Sequence, residues 1–307
     1  MTVSYLIRRN IKMFFKDKGL VLSSLITPLI LILLYVTFLK NVYVDSFNSA
    51  LVDAGVSISD KYINGFVYGW LFSSLLAVSS VTVAFCSNLL MVQDKVTGAI
   101  NDIRMGPVSS KKIAISYYIA SMLVTEFIVL AEMLVGFIIM ACTGWFLSAV
   151  DVIQIFFGSF LLVNFGTALS SIIHHFLTTQ GQMSAVGTLV SSVYGFICGA
   201  YMPISQFGSF LQKVLGFLPS TYATTFIRDG YEKGVLNALQ NECGFPMQIV
   251  KGISENFDVT LTFFGKDVPF WVSGLVLLCS VLILIGIYIL ISSNIIKKRK
   301  KHKKTKC

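Results

Sequence analysis

An all-α membrane protein with six transmembrane helices is the architecture this sequence predicts, and three observations carry that prediction. Apolar residues make up 55% of the 307 and charged residues 13%, about half the charge of an ordinary soluble domain. Six long apolar runs, five of them uncharged and one carrying two acids, reach or approach the roughly 20 residues a helix needs to cross a bilayer. Ten-residue alternating patterns of the barrel-forming kind are absent, and only helices or closed barrels satisfy their own backbone hydrogen bonds in lipid.

The chain opens on "MTVSYLIRRNIKMFFKDKG", residues 1–19. Ile7, Ile11, Phe14 and Phe15 recur at helical spacing while Arg8, Lys12 and Lys16 fall every fourth residue, which predicts an amphipathic helix lying along a membrane face. Its scattered basic residues and the lack of a small-residue cleavage site argue against a removable signal. The predicted spans follow: Leu20–Leu39, Ile63–Val92, Ile113–Cys142, Val152–Ile173, Met183 to about Tyr201, and Val268–Ile296. Together they make a transmembrane domain over residues 20–296, followed by a basic tail over 297–307.

Orientation follows from the basic residues. With the loops numbered alternately, one side holds five near the start (Arg8 to Lys18), four between the second and third spans (Lys95, Arg104, Lys111, Lys112) and eight in the tail, seventeen of the 24. The other side holds seven, against ten acids. An excess of Lys and Arg marks the cytoplasmic side, so both termini and the 93–112 segment are expected there, in a multi-pass protein of the cell membrane. The net charge of +9 thus reflects topology and contact with anionic lipid headgroups, and no nucleic-acid partner is expected.

Motifs of soluble chemistry are missing. The sequence has no phosphate-binding G-x-x-x-x-G-K-[ST] loop, no H-E-x-x-H and no metal-ligand spacing of cysteines, so no catalytic residue, metal or cofactor is expected on this chain. His174 and His175 are adjacent, hence about 100° apart on a helix, and read as part of an interfacial turn.

Three stretches in order carry a family resemblance: "RNIKMFFKDKGLVLSSLITPLILILLYVTF", "QDKVTGAINDIRMGPVSSKKI" and "GAYMPISQFGSFLQKVLGFLPSTYATTFIRDGYEKG". The sequence resembles the membrane (permease) subunit of ABC type-2 transporters, with Gly98, Pro107, Val108, Ser109, Pro203, Pro219 and Arg228 matching the family pattern. It departs by placing Thr97 before Gly98 and by an extra outer segment at about 235–267. The resemblance implies a half-transporter: two permease subunits, identical or different, above two copies of a separate ABC ATPase that binds ATP and Mg, and an identical copy is the expected second permease.

The polar island between the second and third spans then acquires a role. Val96, Ile100 and Ile103 form a short apolar stripe, with Asp94, Lys95, Asp102 and Arg104 elsewhere around the helix, and Gly106-Pro107 ends it. A coupling helix at about 93–107 docking on the ATPase is expected, with Asp94, Val96, Gly98, Ile100, Ile103, Arg104 and Pro107 as its residues. In the outer loop, about 202–267, an amphipathic re-entrant segment between Pro203 and Pro219 is expected, and the resemblance implies an outer gate at Pro203, Pro219 and Arg228.

In the resembling family the second and fifth spans line the path between subunits, which makes Phe66, Trp70, Phe72, Tyr194 and Phe196 candidate wall residues. Glu126 and Glu132 are acids inside an apolar run, where ionisable groups are costly; of the two, Glu126 near mid-span is the candidate to meet a cationic substrate group. Gly195 and Gly199 form a G-x-x-x-G that permits close helix approach. An exporter of a drug, lipid-like molecule or hydrophobic peptide is the function these residues favour. The rival, an ion-coupled secondary carrier, would call for an internal repeat and converging mid-membrane acids, and neither is seen.

Overall fold

The computed structural model describes residues 2–45, 58–263 and 265–304; residues 305–307 of the expected basic tail and much of the first outer loop lie outside the described residues. Helix α1 (Val3–Lys16) turns Leu6, Asn10 and Phe14 inward at four-residue spacing; of the expected apolar stripe, Phe14 is buried, Ile7 and Ile11 are half-buried and Phe15 is exposed. Asp17 starts α2 (Lys18–Leu34) by accepting hydrogen bonds from the backbone N–H groups of Gly19 and Leu20 at 2.9 and 3.2 Å, which satisfies orphan donors of the first turn. A π-helical turn, Tyr35–Leu39, follows, and the helix runs on to Asp45.

The hub is α3 (Asp60–Val96), buried without a break from Gly65 to Phe85. Around it pack α2, α5 (Ser110–Thr143), α6 (Ala149–Phe176), α7 (Gln180–Ile197) and α9 (Pro219–Asn241). A helix enclosed on every side needs small residues for close approach, and α3 carries Ser73, Ser74, Ser79 and Ser80 there. Two hydroxyls along it turn back to its own carbonyls, Ser80 to Leu76 at 2.6 Å and Thr82 to Val78 at 3.0 Å, so these two are buried without loss of a partner. Nearer α1, Asn88 donates to Ser171 of α6 at 2.9 Å, a polar pin between two helices. The last helix, α11 (Phe270–Lys304), closes the bundle against α6 and α9.

Among the described residues, five helices are long and apolar enough to cross a membrane: Lys18–Asp45, Asp60–Val96, Ser110–Thr143, Ala149–Phe176 and Phe270–Ser292. The expected fifth span does form a helix, α7, but Gln180, Gln182, Ser184, Thr188, Ser191 and Ser192 make it the polar exception, and the six-span count is not reached on composition. It packs chiefly on α3.

At the end of the bundle remote from α1 lie α8 (Ser209–Leu215), α9, α10 (Met247–Asn256) and a hairpin of β1 (Leu261–Phe263) with β2 (Lys266–Val268). The amphipathic segment expected between Pro203 and Pro219 is the seven-residue α8, whose Phe210 and Val214 remain exposed, as does Phe217 beyond it. The element that enters the bundle is instead α9. Pro219 occupies its first turn, where no N–H is missed, and its Tyr222, Phe226, Ile227 and Tyr231 are buried.

Candidate functional site

Near α1, α3 ends at Val96, and Gly98 adopts φ +83°, a left-handed conformation that reverses the chain at little cost only for glycine. The next helix, α4 (Ala99–Met105), has seven residues. A helix that short is not stable alone. Ile100 supplies its anchor, 6% exposed, and Ile103 packs half-buried against the cluster formed by Leu6, Phe14, Ile113 and Tyr117. The expected Val96, Ile100, Ile103 docking stripe is thereby revised: Ile100 and Ile103 hold α4 on its own bundle, and Val96 belongs to α3. The face left outward carries Asn101, Asp102, Arg104 and Met105, the last 80% exposed, with Val96 and Pro107 exposed beside it.

Asp94 also points inward. It accepts from both terminal nitrogens of Arg9, one at 3.0 Å, and from the Tyr117 hydroxyl. One buried carboxylate thus joins α1, α3 and α5, and its hydrogen bonds raise the affinity of Arg9 for its proton. Its neighbour Lys95 donates to the carbonyls of His174, His175 and Leu177 at 2.8, 2.7 and 3.1 Å. These are orphan acceptors at the end of α6, and a cation there also complements the helix dipole. His174 is buried with Nδ1 2.8 Å from the Ser170 carbonyl, so the two histidines close a helix rather than form a free turn.

At the opposite end, Arg228 of α9 is 1% exposed. It donates to the carbonyls of Gly199 and Phe257 at 2.9 and 3.2 Å and to the Ser74 hydroxyl at 3.0 Å, and lies 4.7 Å above the Trp70 ring. Asp258, 3.9 Å away, in turn accepts from the backbone N–H of Ile204 and Ser205. Trp70 Nε1 donates to Phe257 O at 2.9 Å. Of the three residues expected at the gate, Arg228 is the centre of this buried network and Pro203 is buried just before Ile204, whereas Pro219 is half-buried at the start of α9.

Between α2 and α7 lies a cavity of about 880 Å³, lined by Leu31, Tyr35, Phe38, Ser192, Phe196 and Phe257 among others. Of the expected wall residues, Phe196 lines it. Tyr194, two residues before it, is buried, and Phe66, Trp70 and Phe72 pack in the core, Phe66 edge-on to Phe257 at 5.0 Å and Phe72 stacked on Tyr68 at 6.2 Å. Glu126 and Glu132 are on α5, which does not line the cavity.

Sequence reasoning left out Lys95 as a helix cap, Tyr117, Phe257, Asp258 and the first span as cavity wall. Only the alternation of Asp94 and Lys95 at the exit of a span signalled that these charges have partners.

A model of the ABC-2 type transporter family matches residues 1–231, three quarters of the chain. Neither a curated protein nor a solved structure matches it.

Proposed function

Since the chain belongs to the ABC-2 type transporter family, and is a membrane permease component rather than the ATPase itself, we propose that it exports a hydrophobic or amphipathic substrate, a drug, lipid-like molecule or peptide. Power would come from two copies of a separate ABC ATPase, and a second permease, an identical copy, would complete the transporter in the cell membrane with both termini cytoplasmic. The observation that carries this reading is the cavity between α2 and α7. Its volume of about 880 Å³ is within the range of sites for drug-sized ligands, and Leu31, Phe38, Phe196 and Phe257 favour an apolar or amphipathic cargo over a charged one.

In this reading, closure of the ATPases on ATP and Mg pushes on the outward face of α4. The push passes through Ile100 and the Asp94 junction to α3, and α3 transmits it to the cavity and to the Arg228 network, the outer gate. Reconstitution with the ATPase tests it. ATP hydrolysis should rise with amphipathic drugs, lipids or peptides, and Phe196→Ala should shift the concentration needed. Uptake by the purified chain alone, driven by an ion gradient without ATP, would refute it.

A further inference from the structure

The cavity between α2 and α7 has a wall without charge: no acidic, basic or histidine side chain is among the described residues that line it. The charges nearby are engaged elsewhere. Arg228, which donates to the Phe257 carbonyl, is 1% exposed among its own partners. Lys40 lies 5.1 Å over the Tyr68 ring, and Glu255 pairs with Lys251 at 3.5 Å. What polarity the lining has comes from hydroxyls and amides, and it is unevenly placed. Ile30, Leu31 and Leu34 make the stretch toward α1 apolar, whereas Tyr43, Gln206 and Asn256 gather at the end formed by α10.

The hydroxyls share a second property. Ser192 donates to the Thr188 carbonyl at 2.8 Å, and the Tyr35, Tyr43 and Tyr201 hydroxyls point at the carbonyls of Ala200, Tyr201 and Ser191 at 3.4, 3.5 and 3.4 Å. Each hydroxyl has a single proton and two lone pairs. A ligand that donates meets those lone pairs with every internal bond kept, whereas a ligand that only accepts must draw the proton away from a carbonyl. Gln206 and Asn256, exposed at the rim, add amides that both donate and accept. A full charge would leave water and meet no opposite charge, which is costly. On the reading of this cavity as the cargo site, we infer that the cargo's polar end is an uncharged group bearing hydroxyl or amide N–H donors. It sits beside Tyr43, Gln206 and Asn256, and the apolar chain runs along Ile30, Leu31 and Leu34. Phosphate, carboxylate and quaternary ammonium amphiphiles are disfavoured.

The test uses the full chain in a nonionic detergent and follows its melting temperature during titration with amphiphiles of matched chain: monodecanoylglycerol, methyl decanoate, decyl phosphate and decyltrimethylammonium. Ser192→Trp, at an exposed position, blocks the cavity from α7, and Thr27→Trp blocks it independently from α2. Monodecanoylglycerol should raise the melting temperature of the wild type, and both blocks should abolish the rise. Gln206→Ala combined with Asn256→Ala should raise the concentration required about fivefold to tenfold, the loss of one or two hydrogen bonds. Charged probes also reach the basic surface, so only the part of a response that the blocks remove reports on the cavity. A block-sensitive response to decyl phosphate or decyltrimethylammonium that equals the one to monodecanoylglycerol would overturn the uncharged polar end. An equal response to methyl decanoate would overturn the need for a donor. The absence of any block-sensitive response would instead refute the cargo cavity itself, a failure distinct from a cavity that binds every head alike.

Discussion

Comparing Ile100→Ala with Met105→Asp separates holding α4 from using it. Ile100 is 6% exposed, and truncating a buried isoleucine costs about 2–5 kcal/mol. Because a hollow already borders the site, the loss should fall near the lower end, about 2 kcal/mol, a factor of about 30 in the folded population. Met105 is 80% exposed, so replacing it should change folding by no more than about 0.5 kcal/mol. If it is buried by the ATPase, however, its side chain is worth about 1.5–3 kcal/mol of binding, and a charge in its place adds a desolvation penalty. Met105→Asp should therefore melt like wild type yet weaken ATPase retention by about tenfold to a hundredfold. Melting of the detergent-solubilised permease and the ATPase recovered on tagged permease measure the two effects. Normal retention and transport in Met105→Asp would sink the assignment of the outward face, and unchanged melting in Ile100→Ala would sink that of the anchor.

Two further outcomes follow from the charged junctions. Arg228→Met strips partners from Asp258 and from the Gly199 and Phe257 carbonyls, and should cost about 3–5 kcal/mol; Arg228→Lys should recover only part, lacking the planar fork. Melting, together with protease cleavage at the β1–β2 hairpin, reads this directly, and wild-type behaviour of Arg228→Met would refute the network. Asp17 is held below the usual carboxylate range by Gln93 first and by the Leu20 N–H next. Its folded pKa is depressed, so its contribution is present above the unfolded value and fades as pH falls through the folded one. The melting difference between wild type and Asp17→Asn should accordingly shrink on acidification, and a constant difference would contradict the sign.

What the sequence made legible were the features governed by period and solvent. The amphipathic α1, the long apolar spans and the stop at Gly106-Pro107 each follow from residues near one another in the chain. The direction in which a short helix faces does not. Ile100 could have met the ATPase or the bundle, and only its three-dimensional neighbourhood beside Met91, Ile113 and Tyr117 decides for the bundle. Long-range polar pairs were hidden for the same reason: nothing local ties Arg9 to Asp94, or Trp70 to a carbonyl 187 positions later. The buried course of α9 escaped notice because its Thr, Arg and Glu residues lower its apolar character, while their burial depends on partners from other helices. Among the wall candidates, Phe66 and Trp70 have the size and chemistry of ligand contacts, and the same properties make them core packers.

The Arg228 network also has a timetable. Trp70, Ser74 and Gly199 are synthesised before Arg228, but Phe257 and Asp258 follow it by about thirty residues, beyond the 1–231 stretch that the family shares. Until they emerge, α9 carries an arginine that its earlier partners only partly satisfy, so its settled position awaits the cap. The last-made part of that end of the molecule is therefore a closing piece, and a graft that exchanged one relative's cap for another's would succeed only if the new one delivered a carbonyl and a carboxylate to the same guanidinium.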